Sequence, residues 1–148
     1  MGSIIELAEK LKCAVLTTFK GKGQINDSHA LATGVLGRSG TPVSASCMEN
    51  ADLLIVLGAS FANHTGINAN KRIVQVDFER MALGKFHPVS VPVWGEIDTT
   101  VQILLGKLPK EINSLDQTEM ISQLKVEWRE EKQRRAKKFS NKGLNSAI

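Results

Sequence analysis

The sequence has 148 residues, which fits a single domain of ordinary size, and 42% of them are hydrophobic, enough for a buried core. No run of about 18 apolar residues occurs, so we expect no membrane-spanning helix and no membrane partner. The N-terminus lacks the basic-then-apolar pattern of a secretion signal. Cys13 and Cys47 lie in apolar stretches, which favours reduced, buried thiols and a cytoplasmic protein over a metal site.

The net charge of +4 is unevenly distributed. Residues 125–142 carry eight Lys or Arg against three Glu, whereas the remaining chain carries 11 basic and 12 acidic residues. This nearly neutral body argues against nucleic acid as the main partner. The basic cluster Lys132–Lys138 could contact RNA or lipid, but interleaved glutamates and few aromatics favour a solvated helix that docks elsewhere in a larger protein.

The first part of the chain predicts two helices and two strands. The capping-box pattern of Ser3 and Glu6 predicts an opening helix of about ten residues. Thr41 is a favoured helix cap, and Pro42 suits the first helical position because its missing N–H would be unpaired there anyway. The other predicted elements, in chain order, are a strand at Cys13–Thr18, a loop at Lys20–Gly23, a strand at Ala32–Gly37 and the capped helix, running to about Glu49.

Three apolar strands follow. Leu53–Leu57 is apolar throughout, which is typical of a strand covered on both faces by helices. Pro92 places the last strand at an edge, because proline cannot donate to a central ladder. Asp98 is predicted to cap the next helix, which Pro109 ends. The remaining elements are strands at Arg72–Asp77 and Val89–Trp94, a linker at 109–115, a helix at Asp116–Lys138 with a thin apolar stripe, and a frayed end at 140–148.

Strands alternating with capped helices indicate a parallel α/β sheet, whose ligands bind at the carboxyl ends of the strands. Glycines there allow close backbone approach, and free amides bind anions. Asp77 could accept bonds from ribose hydroxyls, or equally cap a helix. A glycine after a strand is also ordinary turn chemistry. The stretches that fall at this edge are Thr17–Phe19, Gly34–Ser39, Gly58–Ser60 and Asp77–Phe78.

The sequence contains no convincing catalytic constellation. His29, His64 and His87 are scattered, and no Ser or Cys has a base beside it. The P-loop pattern is absent. The carboxylates Glu130 and Glu131 lie on the charged helix, where a solvated face is the simplest interpretation.

Four ordered segments resemble the thiamine-diphosphate-dependent enzymes, in particular acetolactate synthases and pyruvate oxidases. VLTTFKGKG at 15–23 and HALATGVLG at 29–37 resemble the family's TT-x-x-GKG and HPL-x-x-G-x-x-G passage. ADLLIVLGASF at 51–61 resembles ADL-x-L-x-LG-x-x-F. RIVQVD at 72–77, followed by HPV at 87–89 and GE at 95–96, resembles the I-x-x-D, P-V and GD ending. Each segment is weak alone, but the ordered set is specific and covers about residues 4–108.

The resemblance implies the middle of three α/β domains. In the family this domain is a three-layer, Rossmann-like fold of the kind that binds NAD or FAD, with a six-stranded parallel sheet ordered 3-2-1-4-5-6. It holds FAD in acetolactate synthases and pyruvate oxidases, and ADP in some relatives. Carried over by position, the FAD wall would comprise Thr18, Phe19, Leu36, Gly37, Arg38, Gly58, Ala59, Asp77, Phe78, Gly95 and Glu96.

The sequence departs from the family pattern in three places. Ser60 stands where the FAD binders have an arginine, so a strong phosphate or flavin partner is lost. Ala30 replaces a proline, which we expect to be harmless. The family's first strand, central in its sheet, should precede the opening helix, and no segment here supplies it. We therefore expect the strands at 13–18 and 53–57 to re-pair directly or to be bridged by another copy, and flavin binding to be weak or absent.

The family's catalytic groups belong to other domains. It binds thiamine diphosphate and Mg²⁺ through a GDG motif in its C-terminal domain, and its activating glutamate lies in the N-terminal domain; this sequence has neither. We therefore expect a nucleotide-binding domain at 1–108 and a linker and basic helix at 109–148, not catalytic alone, in a homo-oligomeric enzyme that uses pyruvate or another 2-oxo acid. The alternatives are a free-standing NAD or nucleotide binder, and a non-enzymatic interaction domain whose basic helix binds a partner.

Overall fold

The computed structural model describes residues 2–60, 62, 64–68 and 70–138. The predicted fraying at 140–148, and Phe61 of the third matching segment, lie outside these residues. The elements in chain order are α1 (Gly2–Leu11), β1 (Val15–Thr17), β2 (Ala32–Val35), α2 (Pro42–Asn50), β3 (Leu53–Leu57), β4 (Arg72–Asp77), a 3-10 turn (Arg80–Ala82), β5 (Val91–Trp94), α3 (Ile97–Lys107) and α4 (Thr118–Lys138).

Every strand pair in the described chain is parallel. β1 pairs with β2, and β3, β4 and β5 form a second sheet with β4 in the middle. α2 connects β2 of the first sheet to β3 of the second. β5 lies at an edge, as Pro92 predicted. The predicted parallel α/β fold is confirmed.

Helices cover both faces of the second sheet. Ile73 of β4 packs in one cluster with Met48 of α2. Val76 points to the opposite face, because strand side chains alternate, and it is buried there on the side where α3 packs against β4. α1 packs on α3, while α2 packs on β2 and α4. This is the layered, Rossmann-like arrangement that was predicted.

The prediction that helices cover both faces of Leu53–Leu57 overstates the burial of this strand. Leu54 and Val56 are buried, but Leu53 is 45% exposed. The reason is the position of β3, which has a strand neighbour on one side only. β4, between two strands, buries four of its six residues.

β1 and β3 do not pair with each other within the described residues, so the predicted direct re-pairing is wrong. Side-chain packing joins β1 to the second sheet, since Leu16 packs against the cluster that contains Leu54 and Val56. On the edge of β1 that faces away from β2, the Ala14 N–H donates to the side-chain oxygen of Gln117 at 3.0 Å. Bridging by another copy stays a prediction.

Two helix caps differ from those predicted. Ser3 lies inside α1, and its hydroxyl donates to the Asp98 carboxylate instead of capping. α3 begins at Ile97 with Glu96 as its cap, two residues before the predicted cap Asp98, and the Glu96 side chain accepts from the Asp98 and Thr99 amides. The cap at Thr41 is confirmed: its hydroxyl accepts from the Ser44 amide at 3.1 Å.

The helix α4 packs onto this domain in its first half. Ile121 is fully buried in a cluster with Ala8, Leu31 and Cys47. α4 begins at Thr118, two residues after the predicted cap Asp116, whose carboxylate accepts from the Thr118 amide at 3.0 Å. The segment just before α4 is also anchored to the domain, through the bond between the Gln117 side chain and the Ala14 N–H. The apolar stripe predicted from the sequence is therefore a real contact surface, while the distal half carries the charges.

The burial predicted for both cysteines is confirmed for Cys47, whereas Cys13, which lies just before β1 and not within a strand, is partly buried. Cys47 is buried in α2, and Cys13 packs against the same cluster. Burial raises the pKa of both thiols, which disfavours the reactive thiolate at neutral pH. In the described residues no helix is long and apolar enough to cross a membrane.

Candidate functional site

The carboxyl ends of all five strands form one edge, and backbone hydrogen bonds continue past the strands there. The Leu36 amide donates to the Thr17 carbonyl at 2.8 Å, next to β1 and β2. The Gly58 amide donates to the Val76 backbone carbonyl at 2.9 Å, and the Gly95 amide donates to the Asp77 backbone carbonyl at 3.0 Å. The predicted site residues therefore fall into two groups, one at each sheet: Thr18, Phe19, Leu36, Gly37 and Arg38; and Gly58, Ala59, Asp77, Phe78, Gly95 and Glu96.

The loop after β2 meets the loop after β3, which connects the two groups. The Arg38 amide donates to the His64 carbonyl at 3.3 Å. Gly37 has φ +127°, and a Cβ on it would lie 2.6 Å from the same carbonyl oxygen. Only glycine permits this approach, because an L side chain would meet both strain and backbone overlap. The glycine at 37 thus sets the contact between the sheets at the predicted site.

Two of the predicted wall residues are not free for side-chain contact with a ligand. Leu36 is buried and can offer only its backbone. Asp77 is 7% exposed, and its Oδ1 accepts from the Glu79 amide at 2.9 Å. The helix cap that the sequence left open for Asp77 is not observed, because Glu79 occupies the N-cap position of the 3-10 turn and Asp77 bonds in the turn before it. Ribose binding by Asp77 stays a prediction.

Glu96 occupies the N-terminus of α3 with its own carboxylate. Its two oxygens accept from the Asp98 amide at 2.9 Å and from the Thr99 amide at 2.7 Å. These bonds, first that of Thr99, hold the pKa of Glu96 below its ordinary value. A phosphate at this helix end would have to displace Glu96 and face Asp98. Ligand anions are therefore better accommodated at the glycine loops than at α3.

We expect the cap to make stability depend on pH. The pKa of Glu96 is lower in the folded state, so its contribution is complete above the unfolded pKa and is lost as pH falls through the folded pKa. Glu96→Gln should melt at a lower temperature than the parent at neutral pH, and the difference should shrink in acid. Thermal melts of both proteins from neutral to acidic pH test this; a difference that stays constant would contradict it. Glu111→Gln, an exposed carboxylate in the linker, is the control.

Large aromatic side chains project into solvent at the same edge. Phe19 after β1 is 63% exposed, and Phe78 after β4 and Trp94 at the end of β5 are each 67% exposed. Trp94 was not among the residues predicted from the sequence, although its position directly before the strand-closing Gly95 marks it as an edge residue. The exposed apolar surface of the site is therefore aromatic.

The histidines do not assemble a catalytic group. His29 accepts from the Leu31 amide through Nδ1 at 3.1 Å, so its Nε2 donates to Glu9 at 3.1 Å and ties the loop before β2 to α1. His64 contributes its carbonyl to the glycine loop. Across the described parts of the chain, no three His, Cys, Asp or Glu side chains lie together as a metal site would require.

Comparison with known proteins identifies the family. The family model described as "Thiamine pyrophosphate enzyme, central domain" matches residues 1–104. The chain is 32% identical over 115 residues to a probable acetolactate synthase large subunit of Methanococcus aeolicus, covering 74% of this chain and 19% of that protein. It is 31% identical over 121 residues to the acetolactate synthase large subunit of Cyanidium caldarium, covering 78% and 21%.

A third relative agrees. The acetolactate synthase isozyme 1 large subunit of Escherichia coli (strain K12) is 32% identical over 105 residues, which cover 68% of this chain and 19% of that protein. The chain thus spans about a fifth of the length of the curated relatives it matches. The chain belongs to the thiamine pyrophosphate enzymes and corresponds to their central domain.

Proposed function

We propose that this chain is the nucleotide-holding scaffold domain of an acetolactate-synthase-like enzyme that acts on pyruvate or another 2-oxo acid. The observation that carries the proposal is the carboxyl edge, where glycine-bearing loops from both sheets meet beside exposed aromatic rings. The ligand is FAD or ADP, bound mainly through backbone groups. Catalysis belongs to flanking N- and C-terminal domains.

Thiamine diphosphate and Mg²⁺ are held by those other domains in this proposal. The described residues do not fit either group, since they bring together no carboxylate cluster for a divalent cation. An adenine nucleotide fits better: Arg38 is an exposed cation directly after Gly37, and Gly58 and Ala59 follow the most apolar strand. What this chain contributes is binding, orientation and support between the domains that do the chemistry.

The affinity of the 148-residue chain for nucleotide should be weak. Leu36, Asp77 and Glu96 have their polar groups engaged or buried, which leaves few side chains to hold phosphates. We expect no flavin absorbance to co-purify, and millimolar dissociation constants for ADP, equivalent to about 4 kcal/mol of binding free energy. A stoichiometric yellow protein would contradict this expectation.

Calorimetry with FAD, ADP and NAD tests the function. Heat with ADP and FAD but not with NAD supports the proposal, whereas binding of NAD alone would favour a free-standing NAD-binding protein. Binding of none of them overturns the proposal. A salt-sensitive shift with RNA would point instead to an interaction domain that uses the basic end of α4. Sedimentation of the same sample tests the proposed homo-oligomer.

Restoring the family's arginine should strengthen nucleotide binding. Ser60 is exposed at the edge, so Ser60→Arg adds a guanidinium there without disturbing the core. A charge-assisted hydrogen bond contributes about 1.5–3 kcal/mol, so we expect ADP to bind roughly 10-fold to 100-fold more tightly. Ser60→Gln, which adds length without charge, is the matched control in the same titration. Equal affinities for all three proteins would show that position 60 does not reach the phosphates.

A further inference from the structure

We infer that Trp94 is the platform on which the base of the bound nucleotide stacks. This rests on the proposed function and adds to it a residue that selects for a planar aromatic ring. Trp94 lies between two members of the predicted wall, since it precedes Gly95 in the chain and bonds to the backbone of Phe78. It is therefore part of the same edge and not of a separate surface.

The indole of Trp94 is held in one orientation by two contacts. Its Nε1–H donates to the Phe78 carbonyl at 2.9 Å, which uses the only polar group of the side chain. The guanidinium carbon of Arg80 lies 5.9 Å from the ring centroid, in a cation–π contact. What remains for a ligand is an apolar ring surface, and the residue is 67% exposed.

A fixed, solvent-exposed indole surface suits a flat aromatic partner. Aromatic rings prefer offset stacking, and a base stacked on an aromatic side chain is sequence-tolerant and needs no hydrogen bond from it. Arg80 adds a positive charge beside the ring. This charge favours an anionic nucleotide over a neutral apolar occupant at this end of the edge. Adenine of ADP or FAD meets both conditions.

The distance across the sheet allows one ligand to use both the glycine loops and Trp94. β3 and β5 are two strand positions apart, which corresponds to about 10 Å at the usual spacing of parallel strands. A nucleoside diphosphate bridges that span, with its phosphates at Gly58 and its base at the end of β5. Trp94 then determines affinity for the base, and the glycine loops determine affinity for the phosphates.

Tryptophan fluorescence can report on ligand binding at Trp94, because Trp94 and Trp128 are the only tryptophans of the chain. In Trp128→Phe the remaining fluorescence comes from Trp94. We expect ADP to quench it saturably, and inorganic pyrophosphate, which has no ring, to leave it unchanged. Trp94→Leu should weaken ADP binding at least about fivefold in calorimetry, from the usual contribution of a stacked base, and leave pyrophosphate binding as it was. Trp94→Phe, which keeps a ring, should recover most of the ADP affinity.

The outcomes separate this inference from the proposed function. If ADP binds Trp94→Leu as tightly as the parent, or binds Trp128→Phe without changing its fluorescence, the stacking role is overturned while nucleotide binding stands. If neither ADP nor pyrophosphate binds the unaltered chain at millimolar concentration, both are overturned. Circular dichroism of each variant checks folding, which the exposure of Trp94 predicts to be unaffected.

Discussion

Ile121→Ala should lower the free energy of unfolding by about 2–5 kcal/mol, because it empties a site that is fully closed between α1, α2 and α4. The loss includes the apolar transfer term and the cavity left behind, since a cluster between three elements relaxes only in part. Urea denaturation monitored by circular dichroism measures it.

Val126→Ala is the matched control for that experiment. It removes apolar atoms from the same helix, but Val126 is 45% exposed, so we expect a loss below about 1 kcal/mol. Equal, small effects of both substitutions would show that α4 is only a connector. A large effect at Ile121 alone would show that α4 is required for the stability of the domain it follows.

Gly37→Ala should destabilise the chain by about 3 kcal/mol or more and weaken ADP binding. The new Cβ would lie 2.6 Å from the His64 carbonyl oxygen, and the residue would also have to keep φ near +127°. Strain of that kind costs about 1–3 kcal/mol, and overpacking against a backbone atom adds a similar amount. Chemical denaturation and an ADP titration on the same variant measure the two effects.

Gly23→Ala is the control that measures the destabilisation caused by positive φ alone, without a steric overlap. Gly23 also has positive φ, +88°, but a Cβ there would have nothing within 4 Å. We expect about 1–2 kcal/mol of destabilisation and unchanged ADP binding. If Gly37→Ala costs no more than Gly23→Ala, the loops of the two sheets do not meet as closely as the His64 contact requires.

The fold was largely predictable because its signals are local. The apolar runs at 53–57 and 72–77, the Thr41 cap and the edge role of Pro92 each follow from the chemistry of a few neighbouring residues. The errors have a common origin. Ser3 and Asp98 are both good local caps, but the two residues bond to each other across the contact between α1 and α3, and Glu96 takes the cap position.

The sequence predicted the position of the candidate-site residues better than it predicted their hydrogen bonds and exposure. Glycine and strand-end patterns predicted residues that the structure places at or just after the carboxyl ends of the strands. Their role as a binding site stays a prediction. Asp77 and Glu96 are engaged by amides two and three residues further along the chain, those of Glu79 and Thr99. The orientation of Trp94, in contrast, depends on the Phe78 carbonyl, 16 residues away. Turn and helix-cap patterns could have indicated the first two bonds, but no spacing rule reports on the burial of Asp77 or on the partner of Trp94.

By itself the sequence determined the alternation of strands and helices, the parallel sheet and the family, since periodicity, caps and ordered motifs are properties of short segments. Only the tertiary structure decided that β1 and β3 stay apart, that α4 is anchored by Ile121 to the core, and which edge groups remain free for a ligand. The first two depend on contacts between residues far apart in the chain, such as the 103 positions between Ala14 and Gln117, where packing and hydrogen bonding outweigh local preference.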